Sequence, residues 1–238
     1  RKMEAIILAG GFGTRLRTIV SEVPKPMAPI GEVPFLQLLI NFWEKQGITR
    51  FILSVGYKHQ IIREYFGKKF AGCEIEYVIE DKPLGTGGAV LAAIKYLKTR
   101  NSFLIVNGDT YFDVSLEKIK KFHKKNNSKL TMALFATYES DRYHLVELGS
   151  SSQVLSLNAN KKGKFANGGI FLCSSSIFDN VKADFLKPIA FENDLLTPLI
   201  NKGESKIFGL KNEGVFIDIG IPEDYAKARR LLPTLIKC

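Results

Sequence analysis

The sequence contains little of what builds a disulfide framework or a thiol metal site. Its three cysteines, Cys73, Cys173 and Cys238, are widely spaced and form no C-x-x-C pair. This pattern is typical of reduced thiols with no structural role. Histidine is equally scarce, and none of the three has neighbours that indicate catalysis: His59, His123 and His144. Any chemistry is therefore expected to depend on other side chains.

Long apolar segments are also lacking. No apolar run approaches the roughly 18 residues of a membrane-spanning helix, and no apolar, cleavable leader is visible near Met3. We therefore expect no membrane partner and a cytoplasmic location. Hydrophobic residues make up 45% and charged residues 24% of the 238 residues, a composition typical of one globular core. The sequence predicts a single domain over residues 3–238.

The net charge of +10 permits nucleic acid as a partner, but no nucleic-acid-binding motif accompanies it. The basic residues are spread along the chain, in short pairs such as Lys68–Lys69 and Lys120–Lys121. We interpret most of them as a solvated surface that also attracts small polyanionic substrates. No nucleic-acid partner is expected.

The most informative stretch is a glycine-rich loop after an apolar strand. The run Ala5–Ala9 has the composition of a buried parallel strand and leads into three glycines within residues 10–13. Glycines let backbone N–H groups approach a ligand, and Arg15 and Lys25 add donors suited to phosphates. A dinucleotide loop would need glycine where Leu16 stands, and no Gly-Lys-Ser/Thr sequence indicates a Walker loop. The stretch predicts a nucleotide site of another kind.

Strands and helices alternate through the first half of the chain. This order implies right-handed crossovers and a doubly wound parallel sheet, whose ligands bind at the carboxyl ends of the strands. Glu80 and Asp109 follow apolar strands and should therefore lie at the same crevice as the glycine loop. A helix is predicted from Ala89 to Leu97.

Beyond Leu130 short strands dominate, with a helix predicted over residues 192–201. The predicted fold is α/β: a doubly wound, mostly parallel (mixed) sheet of Rossmann-like type in a single domain. Its nucleotide-binding part is expected over residues 3–128, and residues 129–238 are expected to extend the same sheet.

The pattern G-G-x-G-T-R-L at residues 10–16, followed by P-K-P-M at residues 24–27, resembles the sugar-1-phosphate nucleotidyltransferase family. The resemblance covers essentially the whole chain and implies the nucleotidyltransferase fold, with residues 129–238 as its sugar-binding part. It implies an enzyme that transfers a nucleoside monophosphate to a sugar 1-phosphate and releases pyrophosphate. Segment 15–30 is most similar to guanylyltransferases that act on D-glycero-α-D-manno-heptose 1-phosphate, so the implied substrates are GTP and this heptose 1-phosphate.

The resemblance also implies roles for individual residues. Arg15 would stabilise the departing β- and γ-phosphates, and Lys25 would bridge the α-phosphate and the sugar phosphate; these two are the predicted catalytic residues. Nucleotide-binding positions are implied at Leu8, Ala9, Gly10, Gly11, Gly13, Thr14, Glu80, Gly85 and Thr86. Sugar-binding positions are implied at Asn107, Gly108, Asn167, Gly168, Lys161 and Glu192.

Asp109 and Asp218 each follow a short apolar run and match the metal-ligand positions of the family. The resemblance therefore implies that they hold one Mg²⁺, which commonly takes one or two carboxylates together with water and phosphate oxygens. On spacing alone, an aspartate after a strand is more often a turn former or helix cap.

Glu80 matches the position at which the family reads the nucleobase. A carboxylate only accepts hydrogen bonds, and guanine alone presents two adjacent donors, N1–H and the 2-amino group. Some uridylyl-transferring relatives also carry glutamate here, and the same carboxylate could instead bind a ribose hydroxyl or cap the following helix. Guanine is the predicted base.

The sugar-binding half departs from the family pattern at two places. His144 stands where the family usually has a glycine after an aromatic residue, and residues 157–160 replace the usual Glu-Lys pair. Lys161 is a candidate for the missing lysine contact, which could equally be absent. Either Asn158 or Glu192 substitutes for the missing glutamate, or the sugar is held differently.

Rival readings keep the fold but change the function. Mannose 1-phosphate with GTP and an N-acetylated sugar 1-phosphate with UTP are alternative substrate pairs. A non-catalytic nucleotide-sugar-binding protein is the alternative of another class, although the predicted catalytic and metal residues are all present. Surface helix faces could form a homodimer, although no motif marks one.

Overall fold

The computed structural model describes residues 2–11, 20–158, 163–203 and 206–236. The strands are β1 (Met3–Ala9), β2 (Pro29–Ile30), β3 (Val33–Pro34), β4 (Ile48–Val55), β5 (Lys69–Phe70), β6 (Cys73–Ile79), β7 (Phe103–Asn107), β8 (Thr110–Phe112), β9 (Leu130–Ala136), β10 (Leu145–Leu148), β11 (Val154–Ser156), β12 (Phe165–Cys173), β13 (Ile207–Lys211) and β14 (Phe216–Asp218). The α-helices are α1 (Phe35–Glu44), α2 (His59–Phe66), α3 (Gly85–Ile94), α4 (Leu116–Lys125), α5 (Thr197–Asn201) and α6 (Pro222–Leu235). A 3-10 turn spans Lys25–Met27, and a π-helical turn spans Phe191–Leu196.

One mixed sheet runs through the whole molecule, in the order β11-β10-β12-β7-β1-β4-β6-β5, with β9 pairing β12 and β13. Strand β1 is parallel to β4 and β7, and β4 is parallel to β6. Strand β12 is antiparallel to β7 and attaches the second half of the chain. The predicted α/β fold with a mostly parallel, mixed sheet is confirmed, and the carboxyl ends of β1, β4, β6 and β7 meet at one edge.

Side chains alternate between two cores, one on each face of the sheet. On β1, Ala5 and Ile7 belong to the core that contains Trp43 of α1, whereas Ile6 belongs to the core that contains Val90 of α3. Because successive side chains of a strand point to opposite faces, helices are needed on both sides. This explains why β1 reads as a continuous apolar run rather than an alternating one.

Two helix predictions need correction. The helix after Glu80 begins at Gly85 rather than Ala89, because a remote segment supplies partners for its first turn: the carbonyl of Ile189 accepts from the N–H of Gly87 at 2.7 Å. The helix predicted over residues 192–201 consists of a π-helical turn followed by α5. Tertiary contacts of this kind leave no local sequence signal.

Four short strands were absent from the sequence prediction: β2, β3, β5 and β8. Each has only two or three residues, too few to show a periodic pattern. Strand β8 pairs with β14, which lies more than 100 positions further along the chain, and Asp218 lies opposite Thr110 in that pair.

In the described ranges, no helix is long and apolar enough to span a lipid bilayer.

A buried histidine makes the stability of this fold sensitive to acid. His123 is 7% exposed, with Nδ1 at 2.9 Å from the Thr131 hydroxyl and Nε2 at 3.2 Å from the Ser174 hydroxyl. Burial lowers the pKa of His123 from 6.5 to about 4. The unfolded chain therefore takes up a proton at a pH where the folded protein does not.

When the pH falls from 7 to 5, we expect His123 to lower the free energy of unfolding by about 2 kcal/mol. The loss begins as the pH falls below 6.5 and continues towards pH 4. Urea unfolding of the wild type and of His123→Asn at both pH values measures it, since carboxylate protonation affects both proteins alike. An equal pH dependence in the two proteins would show that His123 is not the source.

Candidate active site

The crevice at the carboxyl edge is held together by a close backbone contact between β1 and the turn after β7. The N–H of Gly108 donates to the carbonyl of Leu8 at 2.9 Å. A Cβ atom at position 108 would lie 2.5 Å from that same oxygen. Only glycine fits here, so this contact fixes Asn107 and Asp109 relative to the glycine loop.

Glu80, at the end of β6, is aimed into the crevice by two donors. The Ser54 hydroxyl donates to Oε1 at 3.0 Å, and the Leu84 N–H donates to Oε2 at 3.3 Å. A Cβ atom at Gly10 would lie 3.1 Å from Oε1, so the carboxylate sits directly against the glycine loop. Burial raises the pKa of Glu80, while these hydrogen bonds lower it. Each carboxylate oxygen keeps a further lone pair for a ligand.

A cavity of about 480 Å³ lies in front of Glu80. Its lining includes many of the predicted nucleotide-binding residues: Leu8, Gly10, Gly11, Glu80, Gly85 and Thr86. Ala9 is buried behind it. The lining also includes residues that the sequence analysis did not assign: Gly56, Tyr57, His59, Ile79, Asp81, Pro83 and Ala89. Because β4 ends at the same edge as β6, its following turn could have been placed here by the carboxyl-end rule.

The turn before α3 is clamped to the sugar-side half of the chain. The Thr86 hydroxyl accepts from the Phe191 N–H at 2.9 Å, and the Ile189 N–H donates to the Leu84 carbonyl at 2.8 Å. Thr86 thus has a structural bond that the sequence analysis did not foresee. Its predicted contact with a nucleotide stays a prediction. The segment held by this clamp continues into Glu192.

Three charged groups converge at the strand ends near Gly220. Lys25 Nζ lies 2.8 Å from Asp109 Oδ2, although these residues are 84 positions apart in the chain. A Cβ atom at Gly220 would lie 2.9 Å from Asp218 Oδ1, 3.0 Å from Lys25 Nζ and 3.7 Å from Asp109 Oδ2. The sequence analysis separated these roles, whereas the structure brings all three groups to one point.

The electrostatics of this group suit a divalent cation. Burial raises the pKa of Asp218, and the neighbouring charge of Asp109 raises it further. A cation between the two carboxylates would relieve that repulsion. In the described part of the chain, no group of three or more histidine, cysteine or carboxylate side chains is arranged so that it could hold a metal ion. Two carboxylates nevertheless suffice for a metal that keeps water and phosphate oxygens as its other ligands.

Asn167 and Glu192, two of the predicted sugar-binding residues, meet through their side chains. The Asn167 side chain donates to Glu192 Oε1 at 3.2 Å and accepts from the Gly169 N–H at 2.9 Å. Gly169 has φ +76°, and a Cβ atom there would lie 2.5 Å from the Asn107 side-chain nitrogen. These contacts bring three of the predicted sugar-binding residues to one wall. Gly168 packs against Phe112 beside them.

His144 also belongs to this wall, although the sequence analysis recorded it only as a departure from the family pattern. Strands β10 and β12 pair Leu145 with Ala166 in antiparallel register, so His144 stands next to Asn167 across the two strands. Burial raises the pKa of Glu192, and the charge of His144 lowers it. Gly13, Thr14, Arg15 and Lys161 lie outside the described residues.

Known proteins similar to this chain match it over nearly its full length. Residues 4–234 match the nucleotidyl transferase family. The chain is 42% identical over 225 residues to D-glycero-α-D-manno-heptose 1-phosphate guanylyltransferase of Campylobacter jejuni, covering 94% of this chain and 97% of that protein. A protein of the same description from Aneurinibacillus thermoaerophilus is 42% identical over 234 residues, covering 97% and 98%. The crystal structure of HddC from Yersinia pseudotuberculosis complexed with GMP-PN has a TM-score of 0.81 and 33% identity, covering 95% of this chain and 98% of that chain.

Replacing Gly85 with alanine should test the clamp between the two halves. A Cβ atom at this position, where φ is +72°, would lie 2.4 Å from the Ile189 carbonyl oxygen. We expect Gly85→Ala to lower the free energy of unfolding by about 2–4 kcal/mol, from left-handed strain plus overpacking. Urea unfolding measures the change.

Gly203→Ala is the matched control. Its φ is +67°, and no atom of the described residues lies within 4 Å of the added Cβ, so only the strain of about 1 kcal/mol applies. Equal losses in the two variants would show that the contact with Ile189 contributes nothing.

Proposed function

Since this chain belongs to the nucleotidyl transferase family, we propose that it transfers GMP from GTP to D-glycero-α-D-manno-heptose 1-phosphate and releases pyrophosphate. The observation that carries the proposal is the match at 42% identity with two heptose 1-phosphate guanylyltransferases, which covers nearly the whole of each chain. The proposal assigns the nucleotide to the cavity at Glu80, the phosphates to the charged group at Gly220 and the sugar to the wall at Asn167.

The environment of Glu80 supports guanine as the base. Ser54 and Leu84 hold the carboxylate in a fixed orientation beside the glycine loop. A preorganised acceptor pairs with the two adjacent donors of guanine without losing side-chain entropy on binding. A base lacking either donor would leave a buried acceptor unpaired, which is the strong form of discrimination.

The reaction needs charge neutralisation more than proton transfer. The sugar phosphate is largely dianionic at neutral pH, so its oxygen can attack the α-phosphorus without a general base. The attack forms an oxygen–phosphorus bond and breaks the bond to the pyrophosphate, which leaves with its electron pair. The protein must hold two mutually repelling anions in line and stabilise the charge on the leaving group.

Lys25 is positioned between these anions in the proposal. Its ammonium group has three donors and binds Asp109 with one of them. The remaining donors are available for the α-phosphate and the sugar phosphate. Prolines on both sides restrict the backbone at Lys25, and the 3-10 turn Lys25–Met27 fixes it further. Arg15 is assigned to the β- and γ-phosphates on the resemblance alone.

Asp109 and Asp218 are the proposed ligands of Mg²⁺. When bound there, the ion would neutralise phosphate charge and orient the phosphate oxygens. The contact between Lys25 and Asp109 holds that carboxylate near Asp218. The wall formed by Asn167 and Glu192 is the proposed floor for the sugar hydroxyls, and a homodimer stays a prediction.

Pyrophosphate release in the presence of Mg²⁺ tests the substrate pair. GTP, UTP, CTP, dTTP and ATP are each offered with heptose, mannose, glucose and N-acetylglucosamine 1-phosphates. We expect strong turnover only with GTP and the heptose 1-phosphate, because Glu80 pairs with guanine. Preference for mannose, or for UTP with an N-acetylated sugar, would replace this substrate pair by one of the rival pairs. No release with any pair from a folded protein would favour a non-catalytic binding protein.

Removing the charge of Lys25 or of Asp218 should lower the catalytic rate far more than the stability of the protein. We expect Lys25→Met and Asp218→Asn each to lower kcat by about 10²–10³-fold, as for other preorganised charged contacts. Lys227→Met, which changes an exposed lysine of α6, is the control and should keep the wild-type rate. Wild-type kcat in Lys25→Met would remove this residue from the proposed mechanism.

A further inference from the structure

His59 has a buried nitrogen that nothing so far described accounts for. The residue lines the cavity in front of Glu80. Its Nδ1 atom is buried and has no hydrogen-bond partner in the described structure. Buried polar atoms without a partner are uncommon, and at a ligand cavity they often have a functional reason.

The turn between β4 and α2 places His59 on the same cavity as Glu80. Lys58 has φ +52°, and the His59 N–H donates to the Gly56 carbonyl at 3.0 Å, so the chain folds back at this point. A Cβ atom at Gly56 would lie 3.9 Å from Glu80 Cβ and 4.0 Å from Gly10 Cα. Strands β4 and β6 are neighbours in the sheet, with Val55 opposite Ile79. His59 and Glu80 therefore follow adjacent strand ends and face one cavity.

The environment of the ring favours one tautomer. A buried N–H without an acceptor is rarer in proteins than a buried acceptor without a donor. Nδ1 is therefore better left unprotonated, and in the neutral imidazole the proton then belongs to Nε2. His59 is only partly buried and lines the cavity, whereas its Nδ1 atom is buried, so Nε2 is the ring nitrogen left to meet a ligand there. The ring thus offers a hydrogen-bond donor to a ligand.

We propose that His59 is a specificity-determining residue that donates from Nε2 to the 6-carbonyl oxygen of guanine. This inference rests on the proposed use of GTP. On the Watson–Crick edge of guanine the 6-carbonyl lies next to N1–H and the 2-amino group, which the Glu80 carboxylate accepts. The donor of His59 next to the accepting carboxylate of Glu80 matches that edge of guanine. Adenine carries an amino group at position 6 and an acceptor at N1, so it presents a donor to His59 and an acceptor to Glu80.

Nucleotide binding without any sugar phosphate tests the assignment directly. Calorimetric titration measures Kd for GTP, ITP, ATP and 7-deaza-GTP with the wild type, His59→Ala and His59→Gln. ITP keeps the 6-carbonyl and N1–H but lacks the 2-amino group, and 7-deaza-GTP lacks the N7 acceptor. Gln60→Ala is the matched control, because Gln60 is the next residue of α2 and is exposed outside this cavity.

We expect His59→Ala to weaken GTP and ITP binding by the same factor, about 10- to 100-fold, and to leave ATP binding unchanged. The preference for GTP over ATP falls accordingly. His59→Gln keeps a donor and should restore most of that preference, which also shows that the site is folded. 7-Deaza-GTP should bind the wild type as GTP does, and Gln60→Ala should behave as the wild type.

Two results would overturn the role of His59 alone. One is an unchanged preference for GTP over ATP in His59→Ala. The other is weaker binding of 7-deaza-GTP than of GTP to the wild type, which would show that the His59 donor binds N7 rather than the 6-carbonyl oxygen. A wild type that binds ATP as tightly as GTP would overturn the proposed function together with this inference. The two failures are therefore distinguishable.

Discussion

The parallel pairing of β1 with β4 and β7 is the constraint on which the rest of the structure depends. It brings the ends of these strands to one edge, where the Gly108 N–H bonds to the Leu8 carbonyl at 2.9 Å. That contact sets the end of β1 against the Asn107–Asp109 turn. Every predicted subsite is then attached to a strand end or to a segment packed on one. A single backbone arrangement therefore positions groups that are far apart in the sequence.

Two further contacts connect the nucleotide side with the sugar side. The Thr86 hydroxyl and the Ile189 carbonyl join the start of α3 to the segment that carries Glu192. The antiparallel pair β8 and β14 brings Asp218 to the same end of the molecule as Asp109. Both contacts join residues of the first half of the chain to residues of the second half. This arrangement suits a reaction that joins two phosphorylated substrates.

Electrostatics at the crevice divide into two environments. Around Gly220, a lysine and two carboxylates lie close together, and the mutual repulsion of the carboxylates is offset in part by Lys25. At Glu80 and Glu192, single carboxylates are partly buried, and hydrogen bonds to Ser54 and Asn167 stabilise their charged forms. The first environment suits phosphates and a metal ion, and the second suits the recognition of neutral donors on a base or a sugar.

The sequence by itself determined the fold class and the family. Local signals suffice for these, because buried strands, a glycine-rich turn and the P-K-P-M segment are contiguous in the chain. The carboxyl-end rule even placed Glu80 and Asp109 at the crevice. Only the tertiary structure decided which distant groups touch, as in the contact of Lys25 with Asp109. It also decided where α3 begins and that His59 lines the cavity at Glu80. These features depend on partners far along the chain, for which a single sequence carries no local pattern.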